Sequence, residues 1–244
     1  MNMNIVDILL LAVLAYCLFA GMHKGFLASG LSLMGFVGSW FGAKAVYERL
    51  AQMALSNTTL MAVLNQYLEP ENFFASKAQA AMSVSEVVSG GETAIQSAVV
   101  TVSEKISVIA SAFEANIRNQ AFSRLGITNL ADYLDQTIWI AIFNVLAFLV
   151  AFIVIYALVS LVVNLMDRVI CFPVFRMFDW LLGGICGLVR GLVVAVLLLC
   201  LVPSLVSLIS PEVTAELMGT STLYSFIKQM DFMGVASTVA QLIG

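Results

Sequence analysis

The sequence predicts an all-α, polytopic integral membrane protein with about four transmembrane helices and an extramembrane helical insertion between spans 2 and 3. Three observations lead there. Of 244 residues, 61% are hydrophobic and only 11% are charged, with a mean hydropathy of +1.00. Average globular chains hold roughly 45–50% apolar and about 25% charged residues, so this chain has too little polar surface to coat a soluble globule. Long apolar runs occupy Val6–Ala43, Thr137–Val163 and Leu181–Ile209. Polar residues gather in one region, Lys44–Gln136, whose only proline is Pro70.

These features divide the chain into an N-terminal transmembrane hairpin (1–43), an extramembrane helical region (44–136), a C-terminal transmembrane pair (137–209) and an amphipathic tail (210–244). Span 1, Ile5–Gly21, is close to the shortest length that crosses hydrocarbon, about 17–25 residues. No basic residue precedes it in Met1–Asp7, so it reads as a retained span rather than a secretory signal. Met22-His23-Lys24-Gly25 is a polar turn, and Phe26–Ala43 is span 2. Gly38 and Gly42 form a small-xxx-small pair there, a spacing that permits close helix packing.

Within Lys44–Gln136, Gly90-Gly91 marks a turn before a heptad-like stripe of Ile95, Val99, Val102, Ile106, Ile109 and Phe113. Glu92, Glu104, Lys105 and Glu114 lie off that stripe. It suits packing on its own hairpin or on the bundle, a homo-oligomeric coiled coil, or a partner helix. Thr137–Val163 is span 3, uncharged throughout, and Asn164–Asp179 is a polar link containing Asp167, Arg168, Pro173, Arg176 and Asp179. Trp139 and Trp180 fall near the ends of membrane segments, as interfacial aromatics do. The fourth apolar segment, Leu181–Ile209, would measure roughly 43 Å as a straight helix against a hydrocarbon core of about 30 Å. It either tilts or overshoots, or breaks near Arg190, with Pro203 a second possible bend. Leu223, Phe226, Ile227, Met230, Phe232 and Met233 place the tail on the bilayer surface or on the loop helices.

Lys24 in the first turn, with Arg168 and Arg176 in the link, puts the short loops in the cytoplasm by the positive-inside rule. The termini and residues 44–136 then face outside. The net charge of −4 argues against nucleic acid as a partner, and no dense basic cluster points to anionic lipid. Cys17, Cys171, Cys186 and Cys200 include no CxxC and read as small apolar residues. With one histidine, His23, no HExxH zinc site can form. P-loop and GxSxG motifs are absent. No catalytic residue, metal or cofactor is expected.

Arg190 is the most informative charge. A central arginine costs roughly 2.5–3.5 kcal/mol on insertion scales. It either snorkels to the cytoplasmic surface or caps a broken half-helix, or it forms a buried ion pair or lines a pore. Asp179 and Asp7 are its candidate partners, and Lys24 could pair with Asp179 across the cytoplasmic mouth. Gly183, Gly187 and Gly191 recur every four residues, a smooth stripe for packing within the bundle or for homo-oligomerisation.

Two motifs resemble the colicin V production protein (CvpA) family. The first runs from an acid opening span 1 (Val6-Asp7-Ile8) through a basic-Gly-aromatic turn (Lys24-Gly25-Phe26) to Leu31-Ser32-Leu33. The second is Asp179-x-x-Leu182-Gly183, then Gly187-x-x-Arg190-Gly191. The sequence departs from the family pattern at Trp180, where a basic residue is common, and in the length of Lys44–Gln136. The resemblance implies a multi-pass bacterial plasma-membrane protein, accessory to production or export of a peptide toxin or to envelope homeostasis, and without enzymatic activity. The alternatives are a small channel or transporter subunit, and a structural oligomer built on Gly183, Gly187 and Gly191 or on the Ile95–Phe113 stripe.

Overall fold

The structure, a computed structural model of the chain, describes residues 4–64, 68–106, 108–167, 176–209 and Ser221. These residues are helical, with no strand among them beyond an isolated bridge between Ser83 and Asn129. The helices are α1 (Ile5–Leu55), α2 (Thr58–Leu64), α3 (Lys77–Ala80), α4 (Val84–Ser89), α5 (Glu92–Lys105), α6 (Ala110–Arg118), α7 (Leu130–Asp167) and α8 (Arg176–Ile209). Short 3-10 turns lie at Pro70–Phe73 and Ser123–Leu125. Three helices are long and apolar enough to cross a membrane: α1, Leu130–Leu165 of α7, and Phe178–Leu199 of α8. The tail expected to be amphipathic lies outside the described residues apart from Ser221, as does most of the link carrying Arg168 and Pro173.

Helix α1 carries one non-helical residue, Gly25, at φ 80 and ψ 172. That region of backbone space is essentially restricted to glycine. The Ser29 hydroxyl donates to the Gly21 carbonyl at 3.0 Å, across eight positions. Eight residues of straight helix would span about 12 Å, so the chain turns sharply at Gly25. After the kink, α1 runs past Ala43 to Leu55. Helix α8, in contrast, is continuous through Arg190, with Pro203 inside it. The break weighed near Arg190 is therefore absent; the backbone break sits at Gly25.

The chain forms two compact units. The first is built chiefly from Met1–Glu48 and Ala147–Pro203. In it, α1 beyond the kink packs on α7. A Cβ added at Gly35 would lie 2.6 Å from Val159 Cγ1, and one at Gly42 would lie 3.1 Å from Ile155 Cδ1. Gly38 has open space around it, so the close approach uses Gly35 and Gly42 rather than the Gly38–Gly42 pair. Those positions are seven apart and share a helix face. Edge-to-face aromatics fill the seam between them, with Phe36–Phe152 and Trp40–Phe148 ring centroids each 5.0 Å apart. The opposite faces expose Tyr16, Phe19, Met34, Phe41, Ile153, Leu158 and Leu161. A soluble monomer rarely exposes so extended an apolar surface, whereas helices embedded in lipid do.

The second unit is built chiefly from Arg49–Leu146. The Ile95–Phe113 stripe is not one helix here. α5 ends at Lys105 and α6 starts at Ala110. Arg118 at the end of α6 meets Glu92 at the start of α5, which a continuous helix would hold about 39 Å away. The physical reason lies in Ile106-Ser107-Val108-Ile109, where β-branched residues and serine weaken helix propensity at one spot. The stripe becomes the inside of a helical hairpin: Ile95, Val99, Val102, Ile106, Ile109 and Phe113 are all buried. Arg118 also pairs with Glu114 at 2.7 Å. Hydrogen bonds from Arg118, then from Gln96, hold the Glu92 carboxyl at about 2, well below its ordinary range. Helix α7 begins at an Asn129 cap, whose side-chain oxygen accepts the Asp132 N–H at 2.7 Å.

Candidate functional site

The glycine stripe of α8 meets the part of α1 that precedes the kink. A Cβ at Gly183 would fall 2.8 Å from the Gly25 carbonyl carbon, and one at Gly187 would fall 3.0 Å from Gly21 Cα. At Gly191 it would fall 2.8 Å from Cys17 Cβ. Such separations are at or below the closest that real Cβ atoms show, and at Gly183 and Gly187 the obstacle is backbone, which cannot step aside. Glycine is required at those crossings because two helix backbones touch there. The stripe is thus covered by Cys17, Gly21 and Gly25 of its own chain.

Asp179 stands in the first turn of α8. Its Oδ1 accepts the Phe26 backbone N–H at 2.7 Å, across 153 positions. Phe26 opens the helix that follows the Gly25 kink, and an N–H at a helix start has no partner within its own helix. Asp179 therefore caps that helix from α8, and its negative charge suits the positive end of the helix dipole. Gly25 makes room for it: a Cβ there would come 3.0 Å from Asp179 Cγ.

Arg190 is half-buried, one turn beyond Gly187. Its Nη1 donates to Ser32 Oγ at 2.8 Å and to Tyr156 Oη at 3.2 Å. Those two hydroxyl oxygens lie 3.5 Å from each other. Arg190 thereby joins α8 to α1 and α7. The expected carboxylate partners are not used: among the described residues no acid pairs with Arg190, and Asp179 is engaged by Phe26. Nor do Lys24 and Asp179 form an ion pair, although both line one open depression with Phe19, Met22, His23, Gly25 and Trp180. Asp7 is buried elsewhere in the unit, accepting the Asn4 N–H at 3.2 Å and the Ser221 hydroxyl at 2.6 Å.

The fold thus gathers Lys24, Gly25, Phe26, Asp179, Gly183, Gly187, Arg190 and Gly191 at the α1–α8 crossing. Sequence reasoning missed Cys17 and Gly21, the other side of the glycine contact, and Tyr156, the second hydroxyl on Arg190. Ser32 was visible only as part of Leu31-Ser32-Leu33. Tyr156 gave a weak signal as a hydroxyl inside an uncharged span. Nothing in the sequence pointed to Ser221 as a partner for Asp7. The arrangement binds, caps and orients helices. Among the described residues, no group of three or more His, Cys, Asp or Glu side chains could hold a metal ion.

The family model for colicin V production protein matches residues 6–89 and 98–231. The match covers most of the chain, and the chain belongs to that family. Its interruption, at residues 90–97, holds the Gly90-Gly91 turn and the first residues of α5. No curated protein and no solved structure matches the chain.

Proposed function

We propose that this member of the colicin V production protein family is a four-span protein of the bacterial inner membrane, non-enzymatic, and accessory to peptide-toxin production or export or to envelope homeostasis. The sharp turn at Gly25 divides α1 into two crossings, α7 and α8 supply the others, and residues 44–136 form the insertion outside the membrane. The short loops are cytoplasmic. One observation carries the reading. The two family motifs, distant in sequence, form a single joint in which Asp179 caps Phe26 and Gly183 and Gly187 lie against Gly21 and Gly25. The contacts at the joint set helix geometry, which supports a role in presenting a surface or shape to other envelope proteins.

The test is complementation of a deletion strain. Asp179→Ala and Gly187→Leu are expected to abolish peptide-toxin release and detergent resistance while the chain still reaches the membrane. Full complementation by both would overturn the reading. A channel or transporter subunit is favoured by one observation, the half-buried Arg190 beside a small cleft shared with Lys24. Conductance or uptake in liposomes that Arg190→Leu removes would establish it. A homo-oligomer through Gly183, Gly187 and Gly191 would have to part α8 from α1, and one through the Ile95–Phe113 stripe would have to open the α5–α6 hairpin.

A further inference from the structure

The sequence holds no dense basic cluster, yet the fold assembles two cations at one place. Lys24 and Arg190 line a single cleft with Ala20, Gly21, Ser29 and Gly187. Gly21 and Gly187 put no side chain into it, and the Ser29 hydroxyl is committed to the Gly21 carbonyl. Arg190 spends only Nη1 on Ser32 and Tyr156. Among the described residues, its Nε and Nη2 carry no hydrogen bond, and no carboxylate pairs with either cation. Nε and Nη2 form one edge of the guanidinium fork, the edge that matches two oxygens of a phosphate. The open guanidinium edge of Arg190 and the exposed ammonium of Lys24 together offer an anion two like charges at one cleft.

The surroundings narrow the anion. The cleft has about 10 Å³ of room, enough for roughly one water. Lys24 also lines the depression of about 680 Å³ that holds Phe19, Met22, His23, Trp180 and Asp179, whose carboxylate is committed through Oδ1 to the Phe26 N–H. Lys24 is exposed, as are Phe19 and Trp180. A ligand that fits has a phosphate for the cations and an apolar body for Phe19, Met22 and Trp180. Basic pockets between membrane helices on the cytoplasmic side bind such headgroups.

We propose that the Lys24–Arg190 cleft and the depression it shares Lys24 with form a binding site for the phosphate headgroup of an anionic phospholipid. Arg190 supplies the fork, and Lys24 is a mobile point charge that swings aside to admit the phosphate. The site rests on the four-span reading but not on any role in peptide-toxin release.

The test is native mass spectrometry of the full-length protein in detergent, titrated with phosphatidylglycerol and, separately, with phosphatidylcholine. Wild type is expected to retain one phosphatidylglycerol and to retain phosphatidylcholine at least about ten-fold more weakly, a factor worth ~1.4 kcal/mol. Lys24→Gln, an exposed substitution that leaves the helix packing intact, is expected to weaken phosphatidylglycerol retention about ten-fold. Arg190→Lys, which keeps charge and loses the fork, is expected to weaken it as well. Lys77→Gln, in the other unit, is expected to leave it unchanged. Equal retention by wild type and Lys24→Gln, or equal retention of the two lipids, would overturn the proposal. So would retention of inorganic phosphate without phosphatidylglycerol, which would assign the cleft to a soluble anion. Failure of these binding changes, with toxin release still dependent on Asp179, would remove the lipid site and leave the proposed function standing.

Discussion

Asp179 Oδ1 accepts the backbone N–H of Phe26 at 2.7 Å, so the first turn of α8 caps the helix that begins after the kink in α1. A cap in trans ties helix position to helix stability. Removing it with Asp179→Ala is expected to lower stability by about 1–2 kcal/mol, the usual worth of a helix cap or a charge-assisted hydrogen bond. Asp179→Asn keeps an acceptor and should cost less. Thermal unfolding in detergent, followed by circular dichroism, checks the order: wild type, then Asn, then Ala.

The glycine crossing separates two kinds of glycine in one experiment. Gly187→Ala puts a Cβ 3.0 Å from Gly21 Cα, backbone against backbone, and is expected to destabilise by about 1–3 kcal/mol as an overpacked core does. Gly38→Ala meets nothing within 4 Å. It should instead stabilise by up to ~1 kcal/mol through helix propensity. Melting temperatures of the two variants should move in opposite directions.

Arg190 is held by hydroxyls, and their loss should be felt jointly. Ser32→Ala or Tyr156→Phe alone leaves Nη1 one acceptor, at a cost of about 1 kcal/mol. The double variant strands a half-buried guanidinium and should cost more than the sum of the single changes. A double-mutant cycle on unfolding free energies measures the coupling.

In the second unit, Glu92 titrates at about 2 rather than near its ordinary 4.5 because Arg118 and Gln96 hydrogen-bond its carboxylate. A depressed folded value means the stabilisation is fully present above pH about 4.5 and is lost as pH falls toward about 2. Glu92→Gln should remove this part of the acid sensitivity. Both partners are exposed to solvent, so the effect should be small and should shrink at high salt. Acid titration followed by near-ultraviolet circular dichroism, at low and high salt, reads it.

The membrane class, the helical character of every long segment and the two family motifs were legible because each rests on local pattern: hydropathy, glycine spacing, a basic residue beside a glycine. The break at Gly25 rather than near Arg190 was not. Both are basic-glycine pairs, and what separates them is the contact with Asp179 at 2.7 Å, a long-range relation no local pattern carries. Ser32 and Tyr156 lie 158 and 34 positions from Arg190, and charge pattern alone points an arginine to carboxylates rather than to hydroxyls. The Ile95–Phe113 stripe is legible as apolar, but its heptad-like spacing does not reveal the turn between α5 and α6. Periodicity survives a turn when the residues on both sides face the same core.

In the proposed topology α1 crosses the membrane twice, reversing at Gly25. On a cysteine-free background, single cysteines replacing Asn4, His23 and the exposed Lys77 can be labelled with an impermeant maleimide from either side of the membrane. The cysteine at His23 is expected to react only from the cytoplasmic side and those at Asn4 and Lys77 only from outside. Labelling of the positions at Asn4 and Lys77 from opposite sides would mean that α1 crosses once, and would contradict that topology.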